Sequence, residues 1–137
     1  AYHVTTRVKG GRPLFHDPVL AAEVTDSLLG YQERGTWQIL GYVVMPNHVH
    51  LVVLLSGERS LSQAVQTFKG HTAHRINRLL GRRGPLWEPA FYDHAIHRDE
   101  DLWQIVEYVE TNPVRSGIVS EPQDYPFSSA AHPTSTP

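Results

Sequence analysis

Cysteine is absent from this chain of 137 residues, which excludes disulfide bonds and thiolate metal sites. Long apolar runs are also lacking, because no window approaches the roughly 20 apolar residues of a membrane-spanning helix. No secretory signal is visible, so we expect an intracellular protein with no membrane partner. Hydrophobic residues make up 40% and charged residues 19%, which argues against disorder and is typical of one globular domain.

Acidic residues are missing from positions 60–87, and five of the 12 basic residues fall there. The net charge of −2 argues against a nucleic-acid partner, but a basic block beside a later acidic one favours contact with phosphates. Positions 71, 75, 78 and 82 share one face of a helix, which is either a DNA-binding stripe or an ordinary solvated face. The candidate DNA-binding residues of this block are Lys69, His71, Arg75, Arg78, Arg82 and Arg83.

Strand and helix patterns alternate along the chain. Segments rich in β-branched and aromatic residues predict strands over 2–8, 37–44, 48–55 and 91–96. Apolar residues at helical spacing predict helices over 18–34 and 61–80, with Asp17 and Ser60 as N-caps. A third helix is expected to have Asp99 as its N-cap and to end near Asn112, because Pro113 disfavours helical geometry in the residue before it.

The order β-α-β-β-α-β-α predicts an α+β fold of ferredoxin-like type. We expect an antiparallel sheet of about four to five strands with the helices packed on one face. Neither an internal repeat nor a linker is visible, so residues 1–137 are expected to form a single domain. The Pro/Ser/Thr-rich tail from about residue 130 is expected to be frayed.

Two histidines, His48 and His50, lie two residues apart in a strand-like segment. Side chains alternate along a strand, so both imidazoles point to one face while Val49 and Leu51 point to the other. Such a pair provides part of a metal site. The alternative is that both are polar residues on a half-exposed strand.

Tyr108 and Asn112 form a second candidate pair, four residues apart on the third helix. The helical angle of 100° per residue places Tyr108 at the edge of the apolar stripe, with Asn112 almost in line with it. A tyrosine in this position is either a functional phenol beside the core or an amphipathic side chain at the core boundary.

Taken together, these segments resemble the REP-associated tyrosine transposases, which belong to the HUH (His, hydrophobic, His) endonuclease superfamily. The opening strand Tyr-His-Val-Thr-Thr-Arg at 2–7 and the run Val-Met-Pro-Asn-His-Val-His-Leu-Val at 44–52 carry the first half of this resemblance. The aromatic stretch at 87–94 and the tyrosine helix with its Asn-Pro-Val turn at 108–117 carry the second.

The resemblance implies a role for each candidate residue. His48 and His50 stand at the positions of the metal-binding histidines, and Tyr108 stands at that of the catalytic tyrosine. Asn112 occupies the place where related transposases have a glutamine as third metal ligand. The implied cofactor is a divalent ion, Mg²⁺ or Mn²⁺.

The implied activity is cleavage and rejoining of single-stranded DNA that contains hairpins, through a 5′-phosphotyrosine intermediate. Such an enzyme would work in the bacterial cytoplasm, at the nucleoid, as a monomer or a homodimer. The alternative is a non-catalytic nucleic-acid-binding module derived from a transposase. A histidine-triad nucleotide hydrolase would need a third alternating histidine at position 52, which is Val52 here.

Overall fold

In the part of the chain that the structure describes, four antiparallel strands form a single sheet in the order β2-β3-β1-β4. The computed structural model describes residues 1–132, so the tail predicted to fray from about residue 130 lies largely outside the described residues. The strands are the following: β1 is Tyr2–Arg7, β2 is Trp37–Met45, β3 is His48–Leu55 and β4 is Tyr92–Ala95. The α+β class and the predicted order of elements are confirmed.

The helices begin at residues that can cap their free amides. They are α1 (Pro18–Glu33), α2 (Leu61–Leu80), α3 (Leu102–Glu110) and the short α4 (Asn112–Arg115). The predicted caps of α1 and α2 are confirmed, and in α2 the Ser60 and Gln63 side chains form a reciprocal capping box. The predicted cap of α3, Asp99, is wrong, because Asp101 accepts hydrogen bonds from the first free amides of that helix. None of the helices within residues 1–132 combines the length and apolar surface needed to cross a bilayer.

The two faces of the sheet are covered by different helices. On one face, α1 and α2 enclose the larger core, which includes Val4, Val49 and Leu51. On the opposite face, α3 contributes Val106 and Val109 to a second, smaller core. The expectation that all helices share one face is therefore wrong for α3. The physical reason is that β2 and β3 carry buried apolar residues on both sides, so each side needs a cover.

Gly41 lets α3 approach the sheet closely. A β-carbon at this position would lie 2.9 Å from Cγ1 of Val106. The pairing of β2 with β3 is also irregular between Ile39 and Gly41. A glycine beside such an irregularity is typical of a place where another element presses on a strand.

The segment that follows α4 covers part of the outer edge of β2. The amide of Val44 donates to the carbonyl of Phe127 at 2.8 Å, and the amide of Ser129 donates to the carbonyl of Tyr42 at 3.0 Å. Tyr125 is buried and its hydroxyl donates to the carbonyl of Val44. These bonds satisfy edge groups that would otherwise be free to pair with another chain.

Candidate active site

The pairing of β1 with β3 assembles a polar row on the face that α3 covers in part. Thr5 lies opposite His50 and Arg7 lies opposite His48. His3 lies two residues before Thr5 on β1, so its side chain points to the same face of the sheet as that of Thr5. The sheet register therefore brings together side chains that are more than 40 residues apart in the sequence.

The two predicted metal-binding histidines stand side by side. The ring centroids of His48 and His50 are 4.9 Å apart, and the rings are nearly perpendicular. Nδ1 of His48 is 2.7 Å from Oδ1 of Asn47, and Nδ1 of His50 is 2.9 Å from the hydroxyl of Thr5. With the hydrogen on Nδ1 of each ring, both Nε2 atoms keep a lone pair for another partner.

Burial keeps these imidazoles neutral at physiological pH. Desolvation, with a further contribution from Arg7, lowers the pKa of His48 to about 4. Desolvation lowers the pKa of His50 to about 3, and the neighbouring imidazoles and arginines contribute further. The neutral ring is the form that binds a metal ion, so both histidines are in the required state.

His3 extends this pair to a third imidazole. Its Nε2 lies 3.1 Å from Nδ1 of His50, and burial lowers its pKa. On its other side, β4 places His94 directly opposite His3, and Nε2 of His94 lies 2.9 Å from the Glu100 carboxylate. The strand period shows from the sequence alone that the side chains of residues 3, 5 and 7 point to one face. It does not show which strand lies beside them.

Tyr108 lies on the same side of the sheet as the histidines. It borders an open cavity of about 440 Å³ that is also lined by His3, His94 and Glu100. Its side chain is 53% exposed, so the phenol is accessible to a large substrate. His3, which lines this cavity together with Tyr108, also contacts His50.

Asn112, the predicted third ligand, follows α3 in the chain and has a hydrogen-bond partner of its own. It is the first residue of α4, and Thr111 alone separates it from the end of α3 at Glu110. Its Oδ1 accepts a hydrogen bond from the hydroxyl of Ser116 at 3.1 Å. Within residues 1–132, no hydrogen bond joins Asn112 to His48 or His50, so its role as a ligand stays a prediction.

The predicted DNA-binding residues lie on or next to α2, across the sheet from the histidines. Lys69 is only 6% exposed, and its ammonium group donates to the carbonyls of Glu88 and Pro89 at 2.8 and 3.3 Å. Burial lowers its pKa. Lys69 therefore anchors the loop before β4 and is unsuited to contact DNA from this position.

The remaining basic residues divide into paired and free groups. Arg75 forms an ion pair with Glu23, with 3.0 Å between Nη2 and Oε1. His71 packs edge-to-face on Tyr31, with the ring centroids 5.8 Å apart. Two arginines, Arg78 and Arg83, are exposed, and Arg82 is half-buried. Residues of α1 therefore contact part of the helix face formed by positions 71, 75, 78 and 82.

The donor set near His48 fits a divalent ion that keeps open positions. Metal-binding histidines are usually neutral and hydrogen-bonded through the ring nitrogen that does not bind the metal. His48 and His50 both have such a contact at Nδ1. Among residues 1–132, no three His, Asp or Glu side chains are grouped so that they could hold a metal ion by themselves. An ion held here would need further ligands from an amide, water or substrate.

Comparisons with known proteins match this chain to transposases. A family profile described as "Transposase IS200 like" matches residues 1–112. The chain is 32% identical over 93 residues to the REP-associated tyrosine transposase of Escherichia coli (strain K12), covering 67% of this chain and 53% of that protein. A Haemophilus influenzae (strain Rd) protein of the same designation is 25% identical over 107 residues, covering 71% of this chain and 61% of that protein.

The fold is shared with a solved structure of a REP-associated tyrosine transposase bound to a REP hairpin. The TM-score is 0.79 at 23% identity, and the match covers 96% of this chain and 76% of that one. At this identity the likeness concerns the fold alone. The chain spans between about half and three-fifths of the length of the two curated relatives that it matches.

Proposed function

The chain belongs to the IS200-like transposase family, and we propose that it is a metal-dependent endonuclease and strand transferase for single-stranded, hairpin-containing DNA. One observation carries this proposal: His48, His50 and Tyr108 lie on the same side of the sheet, and His3, which contacts His50, lines the same cavity as Tyr108. A histidine pair alone fits many metal proteins. A phenol that is exposed beside such a pair is what a tyrosine nucleophile requires.

His48 and His50 would hold the metal ion through their Nε2 atoms, and Asn112 is the proposed third ligand. When bound, Mg²⁺ or Mn²⁺ would neutralise charge on the non-bridging oxygens of the scissile phosphate. Imidazole ligands favour Mn²⁺ over Mg²⁺, which prefers oxygen ligands. With the hydrogen on Nδ1 of each ring, Thr5 and Asn47 would accept a hydrogen bond from His50 and His48 and so orient the two rings.

Tyr108 is the proposed nucleophile. Its phenol oxygen attacks phosphorus and its proton passes to water. The bond from phosphorus to the 3′-oxygen breaks, and this oxygen takes up a proton to leave as a free 3′-hydroxyl. The DNA is then held by a 5′-phosphotyrosine bond, which conserves the energy of the phosphodiester, so a second 3′-hydroxyl can attack it and rejoin strands.

The proposed DNA partner follows from both the chemistry and the relatives. A helix-borne tyrosine reaches a single strand in line more readily than a strand within a duplex. The solved relative is bound to a REP hairpin, and we extend this class of ligand to the present chain. Action on such DNA would take place in the bacterial cytoplasm, at the nucleoid, by a monomer or a homodimer.

A covalent trapping experiment tests the proposal. The protein is incubated with single-stranded hairpin oligonucleotides and Mn²⁺, and the mixture is separated under denaturing conditions. We expect a protein–DNA adduct that resists denaturation and disappears in Tyr108→Phe while DNA binding is kept. Tyr92→Phe is the matched control, because Tyr92 is a second exposed tyrosine on the same side of the sheet.

Two results would contradict this function. An adduct of unchanged yield in Tyr108→Phe would remove Tyr108 as the nucleophile. Salt-dependent DNA binding without an adduct in Mn²⁺, Mg²⁺ or other divalent ions would instead favour the non-catalytic DNA-binding module.

A further inference from the structure

Arg115 stacks on the predicted nucleophile. Its guanidinium carbon lies 4.0 Å from the centroid of the Tyr108 ring, a distance typical of a cation–π contact. The two residues are seven positions apart, on either side of the boundary between α3 and α4. A flat guanidinium over a flat ring restricts the rotation of the phenol.

The guanidinium is fixed by two hydrogen bonds. Nη2 donates to the backbone carbonyl of Tyr108 at 2.7 Å, and Nη1 donates to the hydroxyl of Thr111. Thr111 is itself tied to the helix through the carbonyl of Glu107 at 2.8 Å. A guanidinium has five N–H donors, so three stay free for another acceptor.

The charge of Arg115 has no acidic partner in the described part of the chain. Within the described residues 1–132, no carboxylate lies within ion-pair distance of it. An exposed arginine that stacks on a tyrosine and has no carboxylate partner among these residues is suited to bind an anion through its free donors.

We propose that Arg115 binds a non-bridging oxygen of the scissile phosphate while it stacks on Tyr108, so that one side chain aligns the nucleophile with phosphorus. This inference rests on the proposed function. It makes Arg115 a catalytic residue that contacts substrate and, through the stack, also positions the nucleophile. Because this arrangement acts mainly at the reaction step, its loss should slow cleavage more than it weakens DNA binding.

Two variants of Arg115 separate its charge from its shape. Single-turnover adduct formation is followed over a range of hairpin DNA concentrations with Mn²⁺. Arg115→Gln should reduce the rate at saturating DNA on the order of a hundredfold, with a much smaller change in half-saturating DNA. Arg115→Lys should recover part of the rate, because an ammonium group binds phosphate but cannot stack as a plane.

Arg34→Gln is the matched control. Arg34 stacks on Tyr31 with 5.5 Å between its guanidinium carbon and the ring centroid, and α1 lies on the opposite side of the sheet. Removing this second arginine–tyrosine pair should leave the rate of adduct formation unchanged. Thermal unfolding of all three variants is recorded, so that loss of rate is compared at equal stability.

The outcomes are distinct. A wild-type rate in Arg115→Gln would overturn the assignment, and so would equal losses in Arg115→Gln and Arg115→Lys that track a lowered melting temperature. A rate loss at unchanged melting temperature with partial recovery by lysine supports it. If the wild-type protein itself forms no adduct, the proposed function fails, and the inference on Arg115 fails with it.

Discussion

The hydroxyl of Thr5 lies 2.9 Å from Nδ1 of His50, because the two residues face each other across the β1–β3 pair. Thr5→Val keeps the shape of the side chain and removes this partner. Loss of an outer partner of a metal-binding histidine typically costs 10- to 100-fold in metal affinity. We therefore expect weaker Mn²⁺ binding in Thr5→Val, measured by calorimetry.

Thr25→Val is the control for this substitution. Thr25 is also buried, but its hydroxyl bonds to the carbonyl of Ala21 within α1, on the far side of the sheet. Its replacement should leave Mn²⁺ affinity unchanged. Equal Mn²⁺ affinities in wild type and Thr5→Val would mean that Thr5 does not orient His50 for a metal ion.

Gly41 sets the distance between α3 and the sheet. Gly41→Ala should destabilise the protein by about 1–3 kcal/mol, because the new methyl group overlaps Cγ1 of Val106. Thermal or urea unfolding measures the change. Adduct formation should fall as well, because α3 carries Tyr108.

A compensating substitution tests the cause. Val106→Ala in the Gly41→Ala background should recover part of the lost stability and activity, because it removes the overlapping atom. Gly30→Ala is the control, since a β-carbon there meets nothing within 4 Å, and a helical alanine should stabilise by about 0.5–1 kcal/mol. If Gly41→Ala is as stable as wild type, the close approach of α3 is not as described.

The contacts of Lys69 indicate a role in stability, because its ammonium group bonds to backbone carbonyls. Lys69→Met keeps most of the side-chain length but leaves the carbonyls of Glu88 and Pro89 without their shared donor. We expect a loss of about 1–3 kcal/mol in unfolding free energy. Arg78→Met, on the exposed face of the same helix, should change it by less than about 0.5 kcal/mol. A Lys69→Met variant of full stability with weakened DNA binding would restore the original assignment to DNA.

Features that depend on local chemistry could be predicted from the sequence. The caps Asp17 and Ser60 were recognisable because an N-cap acts on amides two or three residues away. Asp99 was confused with Asp101 because three acidic residues stand in a row, and a cap depends on which of them has extended backbone geometry. The alternation of His48 and His50 likewise follows from the strand period alone.

Features that depend on packing between distant segments could not be predicted. The sequence does not show that Thr5 faces His50, because strand register is set by the whole sheet. It also does not show that Lys69 is buried, because a lysine on an otherwise basic helix has the same local pattern whether a loop covers it or not. The stacking of Arg115 on Tyr108 depends on the break between α3 and α4.

The basic residues on α2 and in the loop after it differ in how much charge they can offer to DNA. Arg83 is exposed, whereas Arg75 is held by Glu23. If this side of the protein contacts the hairpin, Arg83→Ala should reduce the slope of log affinity against log salt by about one unit, and Arg75→Ala by less. Binding is measured by fluorescence anisotropy between 50 and 200 mM salt, about the range over which counterion release changes affinity strongly. Glu23→Gln should make the slope steeper, because Arg75 loses its ion-pair partner. If Arg83→Ala, Arg75→Ala and Glu23→Gln all have the wild-type slope, DNA binds only on the histidine side of the sheet.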